Sequence, residues 1–162
     1  MHKINWKFDN TYSKLSETFR EFVKPTPVHN PEIVIFNHQL AKELNLDFSK
    51  INNIELSKIF SGNSLPQETQ TLAQAYAGHQ FGHFTMLGDG RAVLLGEHLD
   101  NKKNRYDIQY KGSGRTSFSR GGDGRAALGP MLREYLISEA IHALNIPTTR
   151  SLAVVKTGEK VV

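Results

Sequence analysis

Fourteen residues, Gly112 to Arg125, hold five of the thirteen glycines together with Arg115, Arg120 and Arg125, against the single acid Asp123. Glycine lets backbone N–H groups turn inward and approach a ligand closely. Runs of such groups form anion-binding concavities, and arginine adds permanently charged, forked donors. Ser113, Thr116, Ser117 and Ser119 interleave with the charges and are further candidate donors to phosphate oxygens. The chemistry this composition suits is the grip of a polyphosphate. The plainer alternative is a flexible basic surface loop. A second glycine turn, Leu87-Gly88-Asp89-Gly90-Arg91, lies upstream. Neither stretch carries a standard phosphate motif: G-x-x-x-x-G-K-[ST] is absent, and both Gly88-Asp89-Gly90 and Gly112-Ser113-Gly114 lack the third glycine of G-x-G-x-x-G.

Two strands and a helix must position these residues. Ala92 to Glu97 reads as a buried strand, Asn101 to Asn104 as a polar connection, and Tyr106 to Lys111 as the returning strand. Ile108 and Tyr110 then share one face, and Asp107, Gln109 and Lys111 the other. Antiparallel pairing of the two strands brings the Gly88–Arg91 turn to the Lys111 end. A helix from about Pro130 to Leu144 follows, apolar nearly all round, so burial on more than one side is expected. A carboxylate on such a helix needs a partner. Glu134 with Lys111 is the economical pairing, and Glu139 is the rival acid.

Upstream, Leu15, Phe19 and Phe22 recur at helical spacing, and Pro25 and Pro27 punctuate. Glu32 to Phe36 reads as a strand, Asn37 as the cap of a helix through about Leu44, and Asn52 to Phe60 as another short helix. A further helix is expected over Gln67 to Ala77. His79 and His83 are four apart, a metal pair if helical, but Gly78 and Gly82 argue against a helix and no carboxylate stands at ligand spacing. Packing or a backbone-shaping loop is the better reading. Ser151 to Val155 is a strand, and Lys160 to Val162 begins another. The fold class expected is α+β.

The 162 residues fit one domain or part of a larger one, and a net charge of +4 spread along the chain is no nucleic-acid stripe. With no cysteine, disulfides and cysteine metal sites are excluded. No apolar signal core opens the chain and no run approaches a membrane span, so the default location is cytoplasmic, with no membrane and no nucleic acid as partner.

Strand, lysine strand, glutamate helix, strand is the order of a protein-kinase small lobe. The segments Tyr76–Gly82, Leu87–Ala92, Lys111–Thr116, Ser119–Gly129 and Arg133–Ala140 together resemble the selenoprotein O family, whose bacterial members carry the label YdiU. Pro25-Thr26-Pro27 and Phe36-Asn37 match as well, so the likeness covers nearly the whole chain. The resemblance implies a protein-kinase-like small lobe, an antiparallel sheet with a packed helix, over 76–162, preceded by a mostly helical extension with one short strand over 1–75. It implies ATP bound in an orientation reversed relative to kinases, and transfer of AMP to Ser, Thr or Tyr hydroxyls of proteins. Some bacterial members transfer UMP, from UTP, with manganese.

Gly88, Gly90, Arg91, Lys111, Asp123 and Gly124 match the family's nucleotide-binding positions, and Glu134 matches the glutamate that positions the lysine. Arg115, Arg120 and Arg125 are candidates for additional phosphate contacts. The resemblance places the catalytic base and the ligands for Mg²⁺ or Mn²⁺ in a large lobe beyond Val162. No catalytic or metal-binding residue is therefore assigned in this chain, which reads as an amino-terminal fragment, inactive alone and expected to self-associate. The alternative is a nucleotide-binding pseudokinase that acts as a regulatory protein-binding module.

Overall fold

The computed structural model describes residues 4–161. Its organising element is β6 (Ala92–Leu99), buried from Ala92 through His98. Such a strand must be covered on both faces, and it lies inside a four-stranded sheet ordered β1 (Arg20–Phe22), β3 (Leu72–Gln74), β6, β7 (Arg105–Lys111). The β6–β7 pair is antiparallel, with Ala92 opposite Lys111 and Leu99 opposite Arg105, as the alternation predicts. A bulge between Leu94 and Gly96 lets Leu95 turn inward as well, to 1% exposure. The face expected to be apolar on β7 is so: Tyr110 is buried and its hydroxyl donates to the Ile59 carbonyl at 2.8 Å.

Strand β2 (Glu32–Phe36) pairs antiparallel with β8 (Ala153–Lys156), from the opposite end of the chain. A third pair, β4 (Ala77–Gln80) with β5 (His83–Met86), forms an exposed hairpin. Helix α1 (His38–Glu43) starts where expected, because Asn37 Oδ1 accepts from the Leu40 N–H at 2.9 Å. Helix α2 (Asn53–Ser61) is capped likewise by Asn52 and ends on Gly62 at φ +84°. Leu40, Ala41, Leu44, Leu46, Phe48 and Leu56 form a core with Trp6, Phe36 and Phe60 against it. The mixture of helix and antiparallel sheet is α+β, as read from the sequence.

Three local expectations change. Residues 67–77 are not helical: Leu72 and Ala73 (1% and 0% exposed) lie in β3 between β1 and β6, so pairing overrides a weak helical pattern. Leu15, Phe19 and Phe22 share no helix: Leu15 is extended just after a 3₁₀ turn (Tyr12–Lys14), Phe19 ends a second (Glu17–Phe19) and Phe22 lies in β1, with Phe19 and Phe22 more than half exposed. Lys160 and Val161 form no strand, and Val162 lies outside the described residues.

His98 on β6 is a buried titratable group, 1% exposed. Its Nε2–H donates to the Leu44 carbonyl at 2.8 Å and its Nδ1 accepts from the Lys7 N–H at 3.2 Å. Those partners fit only the neutral ring, and burial pushes the imidazole below its ordinary value of 6.5. Because the folded value is depressed, the unfolded chain takes up the proton first. Stability is full above pH 6.5 and falls as pH drops through that value toward the folded one, by at most about 1.4 kcal/mol per pH unit. Urea unfolding midpoints are expected to be lower at pH 5.5 than at pH 7.5, with the folded His98 ring titrating below 6.5 by NMR. A ring that charges at pH 6.5 in the folded protein would contradict this.

Candidate nucleotide site

The two glycine turns meet. Gly88 and Gly90 take φ of +54° and +64°, and the turn is closed by Asp89, whose Oδ2 accepts from the Gln74 N–H at 2.8 Å. Burial raises the Asp89 carboxyl above its ordinary value, against that backbone bond, which lowers it. The Gly112 N–H donates to the Arg91 carbonyl at 2.9 Å, tying the end of β7 to the first turn. The hydroxyls of Thr116 and Ser119 both donate to the Gly90 carbonyl at 2.8 Å. Phe118 lies against Gly88, where an added Cβ would overlap its ring.

Three of the four hydroxyls offered as phosphate donors, those of Thr116, Ser117 and Ser119, are therefore committed to the protein. Thr116 and Ser119 latch the loop to the first turn, and Ser117 donates from both N and Oγ to Glu21 Oε2 on β1. Ser113 is buried, with Oγ lacking a partner among the described residues. The arginines divide. Arg115 folds back, its Nε and Nη2 donating to the carbonyls of Gly122 and Gly121 at 3.0 and 3.1 Å. Arg125, 13% exposed, reaches Glu159 and the Thr26 carbonyl. Arg120, at φ +51°, is exposed and held by no partner among the described residues. Arg91 is exposed and gives one N–H to the Arg125 carbonyl at 3.4 Å, leaving the rest of its fork free.

The loop closes on itself through glycine. Gly114 N–H donates to the Gly124 carbonyl at 3.3 Å, Ser113 bridges Arg125, and Asp123 Oδ1 accepts from the Arg125 N–H at 2.8 Å. Gly124 is buried at φ +71°, and a Cβ there would fall on the Gly114 carbonyl. Gly90 differs: nothing lies within 4 Å of where its Cβ would be. The space beside Gly90 is thus open and its glycine answers to the left-handed backbone, whereas at Gly88 and Gly124 protein fills the space as well.

Lys111 and Glu134 come together as expected. The Lys111 Nζ stands 2.8 Å from each carboxylate oxygen, on helix α3 (Leu128–Ala143). The reason differs in part from the sequence argument. The pair is exposed, at 42% and 48% of the two side chains, and no residue of α3 is buried. Leu136, Ile137 and the following Leu144 are more than half exposed. The helix packs against β8.

Glu139, the rival, is held by Arg150 instead, through Nε to Oε1 at 2.9 Å and Nη2 to Oε2 at 2.6 Å. Sequence reasoning passed over Arg150. It also passed over buried Glu97, which accepts from the Tyr12 N–H, the Thr11 hydroxyl and Arg105. The signal for both was the rule already applied to α3, that a buried carboxylate must find a cation or donors.

His79 and His83 lie on the two strands of the β4–β5 hairpin, so a helical pair does not form. Among the described residues no group of three or more His, Asp or Glu is placed to hold a metal ion. No helix of the described residues is long and apolar enough to cross a membrane.

Residues 2–162 match the family model described as protein adenylyltransferase SelO. Similar curated proteins carry the name protein nucleotidyltransferase YdiU. That of Pelagibacter ubique is 70% identical over 98% of this chain and 33% of its own length. Those of Anoxybacillus flavithermus and Nitrosococcus oceani are 64% and 63% identical, over 97% and 98% of this chain and 33% and 32% of their own lengths. This chain therefore spans about a third of the length of the curated relatives it matches. By its match from residue 2 to residue 162, the chain belongs to the protein adenylyltransferase SelO family.

Proposed function

We propose that this chain is the nucleotide-gripping lobe of a protein nucleotidyltransferase that takes ATP and passes AMP to Ser, Thr or Tyr hydroxyls of other proteins. The observation that carries the reading is Lys111. Its ammonium is fixed by both oxygens of Glu134 at 2.8 Å, yet keeps 42% side-chain exposure at the rim of two joined glycine turns. A cation held in place but open on one side is what phosphate oxygens require. The family match and the relatives' printed name support the same class of reaction.

In this reading the substrate hydroxyl oxygen bonds to the α-phosphorus, the bond from that phosphorus to the β-phosphate bridge oxygen breaks, and pyrophosphate leaves. The leaving group carries the growing charge. Lys111, Arg91 and Arg120, which has no partner among the described residues, are the cations on hand for it, which favours a nucleotide lying with its terminal phosphates toward this lobe. Gly90 supplies close backbone approach, and Gly88, Asp123 and Gly124 shape the two turns. Arg115 and Arg125 serve first as loop braces.

The residues described do not fit a divalent metal, so no step is derived through one. The base that takes the hydroxyl proton is assigned to the part of the relatives' length that this chain does not span. Residues 76–162 are read as the small lobe and 1–75 as an extension whose β1 and β3 join the lobe's own sheet.

The full-length protein, incubated with α-labelled ATP or UTP and Mg²⁺ or Mn²⁺, is expected to leave label on protein. Nucleotide binding without transferred label would favour the pseudokinase instead, and UMP label in excess of AMP label would change the donor.

A further inference from the structure

Burial does little to fix α3, since none of its residues is buried and much of its apolar surface faces outward. Two ion-pair clamps on different faces hold it. Lys111 holds Glu134, and Arg150 holds Glu139. Five residues along an α-helix correspond to about 140° of rotation and about 7.5 Å of rise. The second clamp therefore constrains the rotation and slide of the helix independently of the first.

The far side of the second clamp is tied to the core. Besides its two bonds to Glu139, Arg150 donates from Nη1 to Glu43 Oε2 at 2.7 Å, at the end of α1. Helix α1 is anchored by Leu40 and Ala41 in the core. Its capping residue Asn37 donates from its backbone N–H to the Leu152 carbonyl at 2.8 Å and from Nδ2 to the Ser151 carbonyl at 3.3 Å. The Arg150 side chain is 15% exposed, far less open to solvent than Lys111, so its contacts are the less screened of the two clamps. Arg150 also lowers the Glu139 carboxyl, as its first cause, while Gln39 and then Arg150 lower Glu43. Both carboxylates thus stay charged at neutral pH. With folded values depressed, the clamp is complete above the ordinary glutamate range and is lost as pH falls through those lowered values.

We propose that Arg150 is a positioning residue for nucleotidyl transfer: through Glu139 and Glu43 it holds α3 at the rotation that keeps the Glu134 carboxylate on Lys111. It acts on the nucleotide only through that pair, because all three of its guanidinium nitrogens are spent on carboxylates. The proposal rests on the function read above for Lys111.

The test compares Arg150→Gln, Arg150→Lys, Glu134→Gln and the double variant Arg150→Gln/Glu134→Gln in the full-length protein. Arg150→Gln is expected to lower kcat about tenfold. Arg150→Lys should restore part of the loss, because an ammonium keeps the charge but not the fork. In the Glu134→Gln background, Arg150→Gln should cost less than about twofold more, since the pair it serves is already gone. A residue that merely stabilises the fold would multiply its loss in both backgrounds. That result, or an unchanged kcat in Arg150→Gln, overturns the proposal.

Should the wild-type protein transfer no label, the proposed function fails and hydrogen exchange decides the placement alone. Amides of α3 are expected to exchange about tenfold faster in Arg150→Gln, with β6 unchanged. Equal protection in α3 overturns the proposal. Where Arg150→Gln does not fold, Glu139→Gln, which keeps the shape and removes the charge, is read in the same way.

Discussion

Lys111→Ala in the full-length protein is expected to reduce nucleotidyl transfer by about tenfold to a hundredfold while leaving the fold intact. The two consequences separate because the pair contributes little to folding and much to the site. Both partners are more than 40% exposed, and a pair in that setting stabilises a fold by about 0–1 kcal/mol. The melting temperature should therefore fall by no more than about 4 °C. A charge-assisted contact to a phosphate is worth about 1.5–3 kcal/mol, which is one to two decades in rate when felt in the transition state. Transfer at the wild-type rate would show that Arg91 and Arg120 hold the phosphates unaided. A melting temperature lowered well beyond that range would show that the lysine has a structural task the geometry does not reveal.

Gly124→Ala should have an effect of similar size for the opposite reason. A methyl group at Gly124 falls on the Gly114 carbonyl, and the left-handed backbone there, φ +71°, costs a non-glycine residue about 1–2 kcal/mol besides. The 113–125 loop cannot close over such a group, so transfer and stability should fall together. Gly90→Ala is the informative comparison. Its backbone is left-handed too, but none of the described residues occupies the space a methyl group would take. It should lose only about 1–2 kcal/mol of stability and raise KM for the nucleotide disproportionately. Thermal unfolding and initial rates on the two variants give the comparison. Equal KM changes at matched stability loss would mean that no ligand approaches Gly90.

Where local chemistry decides, the sequence was legible. The β6–β7 pair follows from a continuous apolar run beside an alternating one, and both capping asparagines bond as their type requires. Lys111 and Glu134 were paired by a correct rule with an inaccurate premise, since α3 is exposed where burial was expected. Where partners are distant, legibility stopped. Leu72 and Ala73 are strand because β1 and β6 flank them, and nothing local to 67–77 says so. The hydroxyls of Thr116, Ser119 and Ser117 looked available because their acceptors, the Gly90 carbonyl for the first two and Glu21 for the third, lie 26, 29 and 96 residues away. Arg150 went unnoticed because its two carboxylates come from different helices.

The pairing of β2 with β8 has a consequence for biosynthesis. Ala153 to Val155, which complete the sheet of Ile33, Ile35 and Phe36, are made ~120 residues after them, roughly 6–24 s at ordinary elongation rates. Throughout that interval β2 is an unpaired apolar edge on a nascent chain, open to chaperones or to the same segment on a neighbouring polysome. Final closure spans a long loop, so this sheet is expected to form late, after the local β6–β7 hairpin has set the middle of the chain.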